Sequence, residues 1–311
     1  TMIKVFRHPD YYYELESATR FADVQYVDNM DSADYIAIAS SHDKPVFKGL
    51  TKPVLYSYIR EHPYTHDQYL KTQFDSLNPT LNVKIYSIGS FDKFAPNKEN
   101  IIFDNFELDC YKRLFVDKEC EVIKDNLSSP QFLFLGGKPE KANRKPLLDL
   151  LLSDPTIKNK LTWSMFGVNE SPDKIERDSN HYIGYPYDPM LYKMTNISIV
   201  AETHFSDNQE FHPTEKIYRA IANMHPFIIA STPYFLTKLH KKGYKTFNTL
   251  FDEFYDMEKD HSKRLLQVVS TIKQICNSDL LWGDFRNICK HNLNTLKENS
   301  LKSIKVIQES L

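Results

Sequence analysis

The first half of the chain alternates short apolar runs with amphipathic stretches, and this alternation restricts the fold more than any other feature. Ile3 to Phe6, Val24 to Val27, Tyr35 to Ala39, Val54 to Ser57 and Val83 to Ile88 read as strands. Tyr11 to Ala22 and His66 to Leu77 have helical spacing, with Pro9-Asp10 as a start signal and Asn78-Pro79 as a stop. Strands separated by helices imply βαβ units, whose crossovers produce a parallel sheet covered on both faces. Ligands of such sheets bind beyond the carboxyl ends of the strands. Phe91 to Asn100 is polar, holds Pro96 and reads as a loop; Leu114 to Lys124 reads as a linker helix.

The alternation restarts after the polar stretch Asn126-Leu-Ser-Ser-Pro130. Gln131 to Leu135 is a strong strand that runs into Gly136-Gly137-Lys138-Pro139 and then a helix opening near Arg144. Trp163 to Phe166, Ile197 to Val200 and Phe227 to Ala230 are further strands. Thr214 to Asn223 and Pro233 to Lys241 are helices, the second stopped by Gly243. After Asp260 the apolar spacing is helical to the end. In 311 residues, two such series predict two Rossmann-like α/β domains facing across a cleft. The expected boundaries are 1–125, 126–290, and a C-terminal helix, 291–311, returning to the first domain.

Composition narrows the function classes. With 41% hydrophobic and 26% charged residues, a disordered or fibrous chain is excluded. No apolar run approaches the ~18–20 residues of a membrane-spanning helix, and the first residues carry no apolar signal core, so the expectation is a cytoplasmic protein without a membrane partner. Cys110, Cys120, Cys276 and Cys289 form no CxxC pair or metal-like spacing and read as free thiols. A net charge of −2 argues against a protein that coats nucleic acid electrostatically. The charge is uneven, however. Residues 1–130 hold 15 Lys and Arg against 20 Asp and Glu, whereas residues 131–311 hold 24 against 21, so an anionic ligand is expected in the second half.

Several chemistries are absent. There is no GxGxxG turn, GxxxxGK[ST] loop, GxSxG elbow or HExxH pair, and no DxD metal-diphosphate signature. Two constellations remain. The first is the turn from Gly136 and Gly137 through Lys138 to Arg144 and Lys145, between a buried strand and a helix. Glycines admit close backbone approach, a helix N-terminus favours anions, and three cations surround it, which suits a diphosphate held without a metal. A solvated basic turn is the plain alternative. The second is Glu202-Thr-His204 at a strand's end, followed by Thr214-Glu215-Lys216. Thr214 suits a helix cap, Lys216 would face the anion, and Glu215 could accept from ribose hydroxyls. A capped surface helix with an ordinary Glu-Lys pair is the plain reading there.

From Phe132 to Asp256 the sequence resembles glycosyltransferases of the GT-B fold. It is similar to the fucosyltransferase-like group whose motif ends in Thr-Glu-Lys, and closer to glycosyltransferase-like proteins common in tailed phages. The resemblance rests on FLFLGGKPEKANRKPLLDLL, VAETHF, HPTEKIYRAI, HPFIIASTPYFLTKLHKKGYKTF and the acidic Asp252-Glu253-Phe-Tyr255-Asp256. Where that group has Asn-Ser after the acid, this chain has Thr203-His204.

The resemblance implies a metal-independent transferase with no cofactor, taking a UDP- or GDP-linked sugar as donor. Arg144 and Lys216 would neutralise the diphosphate, Glu215 would hold hydroxyls, and Glu202 would lie near the sugar. A base is required to take the acceptor proton, and the carboxyl ends of first-half strands offer Asp43, Glu61 and His62. The expected acceptor is a hydroxymethylated cytosine in phage DNA, in keeping with the plentiful Lys, Asn, Ile, Tyr and Phe, as codons of an AT-rich genome give, and with the interleaved Lys238-Leu-His240-Lys241-Lys242-Gly-Tyr244-Lys245, which would touch phosphates or stack a base. A cell-surface glycan acceptor, and a non-catalytic nucleotide-binding module on the same fold, are the alternatives.

Overall fold

A computed structural model describes residues 2–7, 24–39, 50–58, 82–87, 99–116, 130–165, 167–168, 189–209, 211–280 and 282–311. Packing divides the chain into two units. One comprises Thr1–Lys112 with Glu298–Leu311; the other is Arg113–Lys297. The expected helices Tyr11 to Ala22 and His66 to Leu77 lie outside the described residues.

The first unit is built on β1 (Ile3–Arg7), β2 (Val24–Val27), β3 (Tyr35–Ala39), β4 (Val54–Tyr58), β5 (Val83–Ser87) and β6 (Glu99–Ile102). All pairs are parallel and the order is β2-β1-β3-β4-β5-β6. Consecutive residues such as Ile36, Ala37 and Ile38, or Val54, Leu55 and Tyr56, are all buried, the mark of a sheet covered on both faces. β6 corrects the loop expected up to Asn100, because Glu99 and Asn100 already pair with Lys84 and Ile85. Helix α1 (Asn105–Tyr111) follows, capped by the Asp104 side chain, and runs into a wider turn over Lys112–Val116. Of the linker helix expected over Leu114 to Lys124, residues 117–124 lie outside the described residues, and Leu114 to Val116 fall in that wider turn, which continues an element begun at Asn105. Residues 298–311 close this unit. Asn299 Nδ2 donates to Glu107 Oε1 at 3.0 Å, Lys84 Nζ donates to the Ser310 carbonyl, and the Tyr86 and Ser310 hydroxyls share a buried bond of 3.1 Å.

The second unit holds β7 (Phe132–Gly137), β8 (Leu161–Met165), β9 (Ile197–Ala201) and β10 (Phe227–Ala230). Its helices are α2 (Arg144–Ser153), α3 (Pro155–Lys158), α4 (Pro189–Met194), α5 (Glu215–Ala222), α6 (Phe235–Lys241), α7 (His261–Cys276) and the first part of α8 (Trp282–Ser310). The sheet is parallel in the order β10-β9-β7-β8, separate from the first. All residues of β9 and β10 are buried, and Leu147, Leu148 and Leu151 of α2 and Ile217, Tyr218 and Ile221 of α5 are buried with them. Two parallel α/β sheets are the Rossmann-like pair that the alternation predicts.

Helix ends follow local chemistry. Gly243, at φ +95°, ends α6: its N–H donates to His240 and the Tyr244 N–H to Leu239, which is a Schellman closure. Met224 closes α5 in the same way, at φ 53°. Pro233 does not start α6; the helix begins after Tyr234, whose backbone is left-handed at φ 61°.

Candidate functional site at the carboxyl edge of the second sheet

In the second sheet the strand order turns back between β7 and β9, since β8 lies outside β7 and β10 outside β9. Crevices open beyond the carboxyl ends of strands at such a reversal. The segments that leave β7 and β9 are Gly137 to Arg144 and Glu202 to Thr214, so the fold brings the two sequence constellations to one edge.

Their glycines serve internal packing. A Cβ on Gly136 would lie 2.6 Å from Met165 Cε and 2.9 Å from Phe134 Cε1. Gly137 is left-handed, at φ +64°, and a Cβ there would lie 3.3 Å from Arg144 Nη1. The turn thus packs directly against the arginine.

Asn143 and Arg144 open α2. Asn143 stands at the cap position yet makes no capping bond. Its amide nitrogen donates instead to the carbonyls of Glu202, at 3.0 Å, and Ala230, at 3.1 Å, which ties α2 to the ends of β9 and β10. Arg144 is only 4% exposed. Among the described residues its guanidinium makes one long hydrogen bond, Nη1 to the Lys138 carbonyl at 3.5 Å, and its Nε makes none. No carboxylate lies within ion-pair distance of it among the described residues. Lys145 does not join it. Its ammonium pairs with Asp149 one turn along, at 2.5 Å, on the exposed face of the helix. Lys138 is exposed on the turn.

On the β9 side, Glu202 is fully buried, and both its oxygens accept from one residue. Thr214 N–H donates to Oε1 at 3.0 Å and Thr214 Oγ1 to Oε2 at 2.5 Å. Thr214 Oγ1 in turn accepts from the Lys216 backbone, at 3.4 Å, and from Lys216 Nζ, at 3.1 Å. Lys216 Nζ also pairs with Glu215 Oε1 at 2.8 Å. A chain of hydrogen bonds therefore runs from Asn143 through Glu202 and Thr214 to Lys216. Burial raises the Glu202 carboxyl above its ordinary range, and the neighbouring Glu215 adds to this against the opposing pull of Lys216 and Thr214. Burial pushes Glu215 upward too, but Lys216 and Arg219 outweigh it and hold that carboxyl at about 2. His204 is buried with its ring 5.0 Å from that of His212, and its carbonyl accepts from Ser231 Oγ at 3.2 Å.

Three described helices follow β7, β9 and β10 at this edge, and their N-termini differ. Thr214 caps α5. The Asp256 carboxylate caps α6 through Leu236 N–H, at 2.8 Å, and Thr237 N–H, at 3.2 Å. That is the work of the acidic motif's last residue, and nothing in local spacing signals it. Only α2 starts with no side chain over its first turn among the described residues. Pro146 removes one donor from that turn and the Lys141 carbonyl takes the Arg144 N–H, so the donors that the turn could offer an anion are the guanidinium and the Lys145 N–H.

The remaining expectations divide. Asp43, Glu61 and His62 lie outside the described residues. The basic stretch after Lys238 needs correcting: Tyr244 is fully buried with its ring 6.1 Å from that of Tyr218, so it cannot stack a base, and Lys242 Nζ donates to Tyr218 OH at 2.6 Å. Among the described residues no group of three His, Cys, Asp or Glu is arranged to hold a metal ion, and no helix is long and apolar enough to cross a membrane.

The sequence matches no protein-family profile and none of the curated proteins. Among solved structures, the chain is similar to an α1,3-fucosyltransferase with GDP-fucose, at 10% identity and a TM-score of 0.43, over 95% of this chain and 90% of that one. A structure of α1,3-fucosyltransferase with GDP gives 12% identity and a TM-score of 0.42 over 99% and 90% of the two chains. A third α1,3-fucosyltransferase structure gives 12% and 0.35 over 90% and 91%.

Proposed function

We infer that this protein is a glycosyltransferase that takes its sugar from a nucleoside diphosphate, with the diphosphate seated at the N-terminus of α2. One observation carries the reading. Arg144 is a buried guanidinium with no carboxylate partner among the described residues, placed at the only uncapped helix start of the three at that edge. A buried charge without a partner is costly. An anion drawn to the helix start would offset that cost and would accept charge-assisted bonds from Arg144. During transfer the same group would stabilise the charge that develops on the leaving diphosphate. Lys216 is the second cation of the reading, although it already has a carboxylate at 2.8 Å and must share it.

The test is calorimetric titration with UDP and GDP, each with and without EDTA, followed by a transfer assay. Binding that survives EDTA and weakens in Arg144→Ala supports the reading; no binding to either nucleotide overturns it. Binding without turnover or donor hydrolysis would leave a nucleotide-binding module.

The acceptor in this reading is a hydroxymethylated cytosine in DNA. Support comes from the motif likeness to phage proteins and from an amino-acid usage that fits the codons of an AT-rich genome. The burial of Tyr244 favours a second acceptor, a glycan, by removing the base-stacking platform. Incubation with 5-hydroxymethylcytosine DNA, a saccharide panel and UDP- and GDP-sugars separates the two by which product gains a sugar mass.

A further inference from the structure

We propose that Glu202 is a positioning residue which, through the Thr214 hydroxyl, pre-orients the Lys216 ammonium toward the anion site. This rests on the nucleoside-diphosphate reading above for its purpose, though not for its geometry.

The contacts of Glu202 are internal. It is fully enclosed, and each of its oxygens receives a donor from Thr214. It therefore acts beneath the site's surface. A carboxylate that accepts on both oxygens leaves the Thr214 hydroxyl a single orientation, with its proton toward Glu202 and its lone pairs turned away. Those lone pairs meet the backbone N–H and Nζ of Lys216. The ammonium has three donors. Thr214 Oγ1 takes one at 3.1 Å and Glu215 Oε1 another at 2.8 Å, so the third has a set direction. A lysine side chain loses much rotamer freedom when it is held. Here part of that ordering is complete before any ligand arrives, which is how pre-organisation raises affinity.

Removing the negative charge reverses the arrangement. In Glu202→Gln the amide oxygen must face the Thr214 N–H, so the amide nitrogen donates to Thr214 Oγ1. The hydroxyl then turns its proton outward and gives one of its two lone pairs to the amide, so it can no longer accept both Lys216 donors. Protonation of Glu202 does the same. Among the described residues the ionisable groups that act on Glu202 are Lys216 and Glu215, and its carboxyl stands above the ordinary range. The acid side of the pH profile therefore carries the signature of the relay.

Two measurements decide it. The first needs no nucleotide: trace acetylation with acetic anhydride, read by mass spectrometry as Lys216 labelling relative to the exposed Lys138. Glu202→Gln and Thr214→Val should each raise Lys216 labelling several-fold, whereas Thr214→Ser, which keeps the hydroxyl, should leave it near wild type. The second is UDP and GDP affinity of wild type and Glu202→Gln between pH 5 and 8. Wild type should bind about 3- to 10-fold more tightly at pH 8, the span of one hydrogen bond's net worth. The ratio of the two affinities, in which the nucleotide's own ionisation cancels, should fall toward one as pH drops. Unchanged labelling in both Glu202→Gln and Thr214→Val overturns the relay, as does a wild-type affinity no tighter than that of Glu202→Gln at pH 8. If wild type binds neither nucleotide, the donor reading fails and the labelling result alone decides the relay. Should Glu202→Gln not fold, Thr214→Val against Thr214→Ser gives the same comparison.

Discussion

The carboxylate of Asp256 accepts the backbone N–H of Leu236 at 2.8 Å, so α6 is capped by a residue twenty positions further along the chain. The same carboxylate takes the N–H and the hydroxyl of Thr237, and Tyr234 N–H donates to the Asp256 carbonyl. Asp256 thus does for α6 what a local Ser, Thr or Asp does elsewhere. Asp256→Ala leaves these donors unmet in a buried setting and should cost about 1–2 kcal/mol in urea denaturation of the whole chain. Asp256→Asn keeps one acceptor and should cost less. Tyr234→Gly relieves a left-handed tyrosine and should not destabilise the protein by more than a few tenths of a kcal/mol. Equal losses for Asn and Ala at Asp256 would show that its carboxylate does not act as the cap.

Packing leaves no room for a side chain at Gly136, and a double-mutant cycle isolates the contact. Gly136→Ala drives a Cβ to 2.6 Å from the Met165 methyl and 2.9 Å from the Phe134 ring and should destabilise by about 1–3 kcal/mol. Met165→Ala alone leaves a cavity at a residue only 3% exposed and should cost about 2–3 kcal/mol. The double variant should be more stable than the sum of the two losses implies, by roughly 1 kcal/mol. Simple additivity would mean that the alanine is absorbed by the Phe134 ring or by the backbone.

The strands were legible because parallel sheets bury consecutive residues, and runs such as Ile36-Ala37-Ile38 or Phe132-Leu133-Phe134 advertise it. β6 escaped because half of Glu99-Asn-Ile-Ile is polar and the strand lies at the sheet's edge, where one side is solvated. The Thr214 cap and the α2 start were legible because a helix N-terminus has local chemistry. What escaped are bonds between residues far apart in sequence: Asn143 to Glu202 and Ala230, Asp256 to Leu236, and Glu202 to Thr214. Spacing says which residues share an edge and is silent on how their side chains pair. For that reason Lys145 reads as a ligand group in the sequence and is an exposed partner of Asp149 in the fold.

Two buried groups give stability opposite dependences on pH in overlapping windows. Burial pushes His225 down to about 4, and its ring nitrogens are held by the Tyr192 carbonyl and the Ser198 hydroxyl. The unfolded chain binds that proton below about 6.5 while the folded chain does not, so His225 makes stability rise with pH between about 4 and 6.5. Burial pushes Glu253 up to about 7, with Phe247 N–H donating to it at 2.8 Å. There the folded chain keeps the proton and the unfolded one has lost it, so stability falls as pH rises from about 4.5 to 7. The two slopes offset one another in wild type. Glu253→Gln should expose a rise of about 2–3 kcal/mol across pH 4 to 6.5, and His225→Asn should expose a fall of similar size from 4.5 to 7. Denaturation midpoints at half-unit pH steps check both, and parallel curves for all three proteins would refute the assignment.

Arg144 allows a test in which stability and binding move in opposite directions. A side chain placed for packing should lose stability when replaced. A buried guanidinium that has, among the described residues, one 3.5 Å hydrogen bond and no partner for Nε is instead a cost to the folded state. Met matches its length, fills the same space and carries no charge. Replacing buried charges by apolar groups of similar volume is often neutral or stabilising by about 1–4 kcal/mol. Arg144→Met should therefore be at least as stable as wild type in urea, while UDP and GDP affinity falls roughly 10- to 150-fold, the equivalent of a charge-assisted contact worth about 1.5–3 kcal/mol. Arg144→Lys retains the charge but not the fork and should fall between the two in affinity. Added UDP or GDP should raise the denaturation midpoint of wild type more than that of Arg144→Met at the same concentration, because stabilisation grows with ligand concentration over Kd. A Met variant that loses stability and keeps its affinity would make Arg144 a packing residue and move the anion away from the start of α2.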